Sequence, residues 1–182
     1  DLCMQTTQHS PHHCYTVGEH TIHTLLEIDK FKNQLSDREH KILKLAMLFH
    51  DFGKPSAKTT DADTGRDHFN GHPEISEEIS VKIMRRLKLD NDTIENVRKL
   101  IRFHDYRPRL TMERVRRMMV LVGPERMEML IRLRIADTLS QSDYEREEKL
   151  EYINELAAKY RKITEDGDCL SIKDLAVTGR DI

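Results

Sequence analysis

Tryptophan is missing from this 182-residue chain, and aromatic residues supply only 5% of it. Glycine and proline are scarce too, at 7 and 5. With so few chain breakers beside many Leu, Ile, Glu, Lys and Arg, a turn-rich β-sandwich is excluded and an all-α bundle expected. The three cysteines, Cys3, Cys14 and Cys169, are too few for a disulfide scaffold. Their odd number suits a reducing, cytoplasmic setting. No apolar run approaches the length of a bilayer span, so no membrane partner is expected. Neither sign of charge dominates: 30 basic residues against 32 acidic ones give a net charge of −2. That excludes a globally basic nucleic-acid wrapper but leaves room for a local basic face. Histidine is the exception to this scarcity, with ten copies.

Helical spacing runs through most of the chain. Ser10-Pro11 reads as a cap with proline at the first helical position, opening a helix over about 11–29. Ser36-Asp37-Arg38-Glu39 is a capping box before an apolar helix ending at His50-Asp51, where Gly53 and Pro55 stop it. This helix is expected to be the central, most buried one. Residues 56–71 lack apolar periodicity and read as a long loop, mobile in its middle and able to close over a bound phosphate. Further helices are expected from Pro73 to Leu87, after a cap at Asn91 or Asp92, over about 111–121, from Pro124, and over about 143–162. Ser171 to Leu175 reads as the start of one more. The expected architecture is an all-α bundle of about seven or more helices, with at most a short ribbon of strand. Met112, Met118, Met119, Met127 and Met129 read as core filler.

Six residues fall on or at the ends of these helices, on the inward side: His20, His50, Asp51, His72, His104 and Asp137. An inward carboxylate after an apolar helix is unfavourable unless paired or metal-bound. Taken singly, an inward histidine is more often a hydrogen-bonded core residue than a ligand, and Asp137 could be a buried cap or an ion-pair partner. Together they are the ingredients of a divalent metal site in a helical core.

The order His20 … His50-Asp51 … Asp137 resembles the HD-domain superfamily of metal-dependent phosphohydrolases, and LAMLFHDFGKP (45–55) is close to that family's helix ending. His72 and His104 fill the positions added in its two-metal members. HHCYTVGEHT (12–21), HFNGHPEIS (68–76), IRFHD (101–105), RIADTLSQS (134–142) and CLSIKDLAVTGRDI (169–182) are similar to the HD region of bacterial CCA-adding tRNA nucleotidyltransferases. The polymerase signature of that family, a Gly-Ser followed by paired aspartates, is not in this sequence. The resemblance implies an HD domain over 1–168, with 169–182 the start of a truncated C-terminal helical segment. It also implies a nucleotidyltransferase head as a missing partner.

By the same resemblance one metal takes His20, His50, Asp51 and Asp137, and a second takes Asp51, His72 and His104. The ligand types suit Fe, Mn, Co, Ni or Zn, with Mg possible. Two such ions activate a shared water and brace the attacking and leaving oxygens of a phosphoester. Asp51 is expected to be central to catalysis. Lys54, three residues on, is expected to present its charge to the substrate phosphate; the bland alternative is a solvated lysine after a helix stop. Eight basic residues between 98 and 117, Arg102 and Arg107 among them, exceed the acidic ones there by six. They are either a guide for substrate phosphate, with Arg102 and Arg107 binding it, or a solvated helix face. The stretch 143–155, with six acidic and two basic residues, is expected to face solvent or a partner domain. The implied activity is phosphodiesterase or phosphatase action on nucleotides or tRNA 3′ ends. The competing reading is a non-catalytic metal-binding module that supports tRNA binding or homodimer formation.

Overall fold

The computed structural model describes residues 2–12 and 14–167. The helix start read at Ser171, and the segment 169–182, lie outside the described residues. Within them are seven helices of eleven or more residues, two single-turn helices and one two-stranded hairpin. No helix is long and apolar enough to cross a membrane.

A single turn, α1 (Leu2–Gln5), precedes α2 (Val17–Asp29). The start of α2 falls six residues later than Ser10-Pro11 suggests. Thr16 and Glu19 explain this: Thr16 Oγ1 accepts from the Glu19 N–H at 3.2 Å, and Glu19 Oε2 accepts from the Thr16 N–H at 2.9 Å. That reciprocal box satisfies two end donors, which Pro11 cannot do. Residues 10–12 are tied instead to the far end of the bundle, where the Ser142 N–H donates to His12 O at 3.0 Å. The Ser36–Glu39 box opens α3 (Asp37–Phe49) as expected. Then come α4 (Lys54–Ala57), α5 (His72–Arg86) and α6 (Asn91–Phe103). Asp90, not Asn91 or Asp92, caps α6, accepting from the Thr93 N–H at 2.8 Å. The last three are α7 (Met112–Val122), α8 (Met127–Leu139) and α9 (Arg146–Glu165). Pro124 opens a 3₁₀ turn that leads into α8.

The most enclosed helix is α8, not α3. Nine of its thirteen residues are buried, against five in α3. α8 packs on α2, α3, α6 and α9, so apolar residues cover most of its circumference rather than one stripe. The main core joins Leu43 and Met47 of α3, Met84 of α5, Leu100 of α6 and Leu130 and Leu133 of α8. Met118, Met119, Met127 and Met129 are buried in it, with Met112 packed on its edge.

Part of the segment read as a loop is ordered by hydrogen bonds. β1 (Thr59–Thr60) pairs antiparallel with β2 (Asp67–His68), in the register Thr59 to His68 and Thr60 to Asp67. The Asp61 N–H donates to Arg66 O at 2.8 Å, and Asp61 Oδ1 accepts from the Thr64 N–H at 2.7 Å. Asp67, fully buried, anchors the ribbon by taking bonds from the His9 N–H, Lys58 Nζ and Thr60 Oγ1 at 2.7–2.8 Å.

Gly53 has ordinary right-handed helical backbone, so it is not a left-handed helix stop. Pro55 follows inside the first turn of α4, which it helps to start. Glycine is required at 53 by space. A Cβ there would lie 2.4 Å from His72 O and 2.8 Å from the Ser76 N. The close approach lets the Gly53 N–H donate to buried Ser76 Oγ at 2.8 Å, which pins the start of α5 beside the end of α3. Gly53→Ala should therefore destabilise the fold by about 1–3 kcal/mol, as overpacked interiors do. Denaturant unfolding measures this, and a wild-type midpoint for the variant would remove the close-approach argument.

Candidate metal centre

Five elements bring the six singled-out residues together. His20 comes from α2, His50 and Asp51 from the end of α3, His72 from the start of α5, His104 from the end of α6, and Asp137 from α8. They form two groups, His20 with His50 and Asp137, and Asp51 with His72 and His104. Within each group the ligand-type atoms lie within 4.8 Å of one another. Asp51 stands between the groups. Its Oδ2 faces His50 Nε2 at 3.2 Å and His20 Nε2 at 3.8 Å; its Oδ1 faces His72 Nε2 at 3.4 Å and His104 Nε2 at 3.8 Å. Asp137 Oδ1 lies 2.9 Å from His20 Nε2 and 3.8 Å from His50 Nε2.

Each ring is oriented by a backbone carbonyl. His50 Nδ1 lies 2.7 Å from Met47 O, His72 Nδ1 2.8 Å from Phe69 O, His104 Nδ1 2.7 Å from Ile101 O, and His20 Nδ1 3.2 Å from Ser140 O. A carbonyl oxygen only accepts, so Nδ1 carries the hydrogen and a neutral ring presents a bare lone pair at Nε2. All four Nε2 atoms point inward, toward two carboxylates that also only accept. His72 Nε2 and His104 Nε2 are 3.1 Å apart, lone pair against lone pair. His50 Nε2 and Asp51 Oδ1 are buried without a hydrogen-bond partner, and Asp51 Oδ2 has the Lys54 ammonium at 2.8 Å. So many acceptors facing one another need a shared cation. Imidazole and carboxylate donors, each with its other nitrogen held by a backbone carbonyl, fit a divalent metal.

The titration of these groups follows from the same crowding. Burial raises the Asp51 and Asp137 carboxyls, yet neighbouring charges outweigh it, and both are held well below the usual carboxylate range. For Asp51 those neighbours are His50 and Lys54, and for Asp137 they are His20 and His50. Burial lowers the His50 imidazole, but adjacent Asp51 overcomes it and its pKa is raised. His104 is pushed down to about 4 by burial and then by His50 and His72.

A family model of the HD domain matches residues 13–144 of this sequence. The chain belongs to the HD domain family. HD domains bind divalent metals, in keeping with the inward donor set. A CC-adding tRNA nucleotidyltransferase of Thermus thermophilus is 33% identical over 124 residues, 68% of this chain and 27% of that protein. An A-adding tRNA nucleotidyltransferase of Deinococcus radiodurans is 38% identical over 63 residues, 35% of this chain and 14% of that protein. The chain thus spans about a quarter or less of the curated relatives it matches.

A cavity of about 880 Å³ opens onto the HD centre, reaching Asp51, Lys54, His72, His104 and Asp137. Lys54 is not solvated: it is buried, with Nζ 2.8 Å from Asp51 Oδ2 and 2.7 Å from Gln8 Oε1. Of the eight basic residues between 98 and 117, only Arg102 and Arg107 line the cavity. Arg98 is held by Glu95 and Glu77, and Lys99 donates to Leu121 O at 2.7 Å. The run is dispersed because successive helical positions point in different directions. Arg102 itself lies 3.1 Å from Glu74, and Arg107 lies 3.4 Å from Asp105.

Sequence reasoning missed three supporting residues. Gln141 Nε2 donates to Asp137 Oδ2 at 3.0 Å and fixes that carboxylate. Lys149, from the stretch expected to face solvent, is buried and donates to Gln141 Oε1 at 2.8 Å. Arg134 is buried on α8 and donates to Phe103 O, His104 O and Tyr106 O, holding the end of α6 that carries His104. Gln141 was foreseeable, lying four residues after Asp137 just past the end of α8.

The titration shifts predict the pH dependence of the metal-free HD domain. His104 has a folded pKa of about 4, below its unfolded value, so the unfolded chain takes its proton first as pH falls. Stability should decline between about pH 6.5 and 4. His50 has the opposite sign: its raised folded pKa contributes stability that is complete below about pH 6.5 and lost as pH rises through the raised value. The thermal midpoint of metal-stripped protein should peak near pH 6.5, and His104→Asn should flatten the acid limb. An unchanged acid slope in that variant would show that His104 is not the responsible group.

Proposed function

We propose that this HD domain is a metal-dependent phosphohydrolase acting on phosphoesters of nucleotides or tRNA 3′ ends, within a tRNA nucleotidyltransferase-like protein that also carries a nucleotide-adding head. The observation that carries this reading is Asp51, whose two oxygens each face a different pair of imidazoles at the floor of an open cavity. His20, His50, Asp51 and Asp137 would hold one divalent ion, and Asp51, His72 and His104 a second. When bound, such ions supply Lewis acidity toward a phosphoryl oxygen and a water acidified enough to attack it.

The chain's own residues do the rest. The carbonyls of Met47, Phe69, Ile101 and Ser140 keep the protons of the four imidazoles on Nδ1, so every ligand nitrogen is ready without reorganisation. Gln141 holds Asp137 in one rotamer through Oδ2. Lys54, on the cavity wall, binds a non-bridging oxygen of the phosphate at the metal centre as a point charge, and Arg107, farther along the wall, binds phosphate as a fork. Arg102 does the same from the α6 side. Burial of Lys54 beside the Phe69 ring, 5.4 Å from its centroid, strengthens its field toward a phosphate. The cavity size supports catalysis over scaffolding, since a metal kept only for structure needs no access for a ligand of nucleotide size. The similarity to two tRNA nucleotidyltransferases supports an RNA end as the substrate class.

Asp51→Ala should lower hydrolysis of a 2′,3′-cyclic phosphodiester by roughly a hundredfold or more and strip most bound metal. His104→Ala should halve the metal content measured by elemental analysis. Lys54→Ala should raise the Michaelis constant by roughly tenfold while the metal stays. Wild-type turnover in both Asp51→Ala and His104→Ala would overturn the two-ion reading.

A further inference from the structure

On the α9 side of the cavity a second set of cations faces the opening. Lys149 is 8% exposed, and its ammonium is held by two neutral acceptors, Gln141 Oε1 at 2.8 Å and His12 Nδ1 at 3.1 Å. Among the described residues no carboxylate lies within 4 Å of it; Asp137 and Glu145 act only from farther away. A buried ammonium without a counter-ion is unfavourable unless an anion comes to it. Arg107 stands on the same wall, its guanidinium 3.4 Å from exposed Asp105. Behind both, Arg134 lines a chamber of about 10 Å³ shared with Arg107 and Lys149, about the room of one water molecule. Arg134 Nη1 is buried and makes no hydrogen bond of good geometry, with the Tyr152 side chain as the guanidinium's neighbour. His12 does not add to this charge: burial and then Lys149 push its pKa down, so the ring stays an acceptor.

Position separates this wall from the metal centre. Lys149 is linked to Asp137 through one amide, Lys149 to Gln141 to Asp137, whereas Lys54 bonds directly to Asp51. A phosphate held at the Asp51 floor meets Lys54. The next charged group of the same ligand meets Lys149 and Arg107. Of the opposing charge, Glu145 and Asp105 sit at the exposed rim, and Asp137, engaged by His20 and Gln141, lines the chamber from the metal side.

We propose that Lys149 and Arg107 form a subsite for a second phosphate of the ligand, adjacent along a nucleotide or RNA chain to the phosphate held at the metal centre, with Arg134 supporting them from behind. The subsite rests on the phosphoester reading above, and it commits that reading to ligands with at least two phosphates. A lone phosphomonoester would leave the Lys149 ammonium uncompensated.

Adenosine 3′,5′-bisphosphate and adenosine 3′-monophosphate separate the two readings when titrated calorimetrically into the manganese-loaded full chain. The wild type should bind the bisphosphate more tightly. Lys149→Met should weaken the bisphosphate by roughly tenfold or more relative to the monophosphate, the effect of losing one charge-assisted bond. Arg107→Gln, at an exposed position where folding is not at stake, should shift the same ratio in the same direction. Equal weakening of both ligands, or no change in the ratio in either variant, overturns the subsite. Turnover of a cyclic phosphodiester is followed in parallel. A ratio that shifts in a protein without turnover upholds the subsite and removes the hydrolase reading; turnover with an unshifted ratio does the reverse.

Discussion

Lone pairs crowd one another at the centre of this fold. Four imidazole Nε2 atoms and two carboxylates converge in a buried space, and among the described residues Lys54 and Gln141 bring donors to the carboxylates. In isolation such a set would carry a large desolvation penalty and strong mutual repulsion. Five helices have to end or pass at one point for it to exist at all. The bundle's geometry is therefore subordinate to this convergence, and the methionine-rich core fills whatever shape results. A thioether chain with three rotatable bonds suits that role better than a branched one.

Helix ends carry much of the load. His50 and His104 are both the C-terminal cap residues of their helices, and each turns Nδ1 back onto the carbonyl three residues before it. One contact thus satisfies a helix-end carbonyl, fixes a tautomer and aims Nε2 into the site. It also places the negative ends of α3 and α6 toward a position suited to a cation. His72 uses the same three-residue return to Phe69 O. His20 is the exception, the fourth residue of α2 and held by Ser140 O from across the bundle. Its placement depends on the packing of α2 against α8 rather than on local chain geometry.

That distinction explains how much of the molecule was legible in its sequence. Helix existence and type were legible because amphipathic periodicity and caps are local. The start of α2 was misplaced because Ser10-Pro11 is also a local signal, and the Thr16–Glu19 box outcompetes it. All six inward residues come together, since each sits where periodicity points it toward the core. What the sequence hid is whatever depends on chain segments meeting at a distance. Gly53 looks like a helix stop but answers to the backbone of His72. Arg134 looks like one more surface charge until α6 is laid against α8. Lys149 stands in a run of acids that reads as a solvated face, yet helical rotation turns this one position inward. The run of basic residues after Arg98 failed in the opposite way: it is dense in sequence and scattered in space.

Lys54 and the ligands share one oxygen, and that sharing orders the chemistry of the cavity. Asp51 Oδ2 takes both the Lys54 ammonium, at 2.8 Å, and the approach of His50 and His20. A carboxylate oxygen has two lone pairs, so a cation drawn to Oδ2 by the imidazoles weakens its hold on Lys54. Gln8 offers the ammonium one further acceptor, and Lys54 also borders the cavity. The segment carrying Gln8 is fastened in turn by buried Asp67, which takes a bond from the His9 N–H beside it. Burial opposes ionisation of that carboxyl, but Lys58 and two further donors hold its pKa far below the usual range, so it stays charged. The short ribbon, which contributes almost nothing to the hydrophobic core, thus fastens through Asp67 the N-terminal segment whose Gln8 holds Lys54.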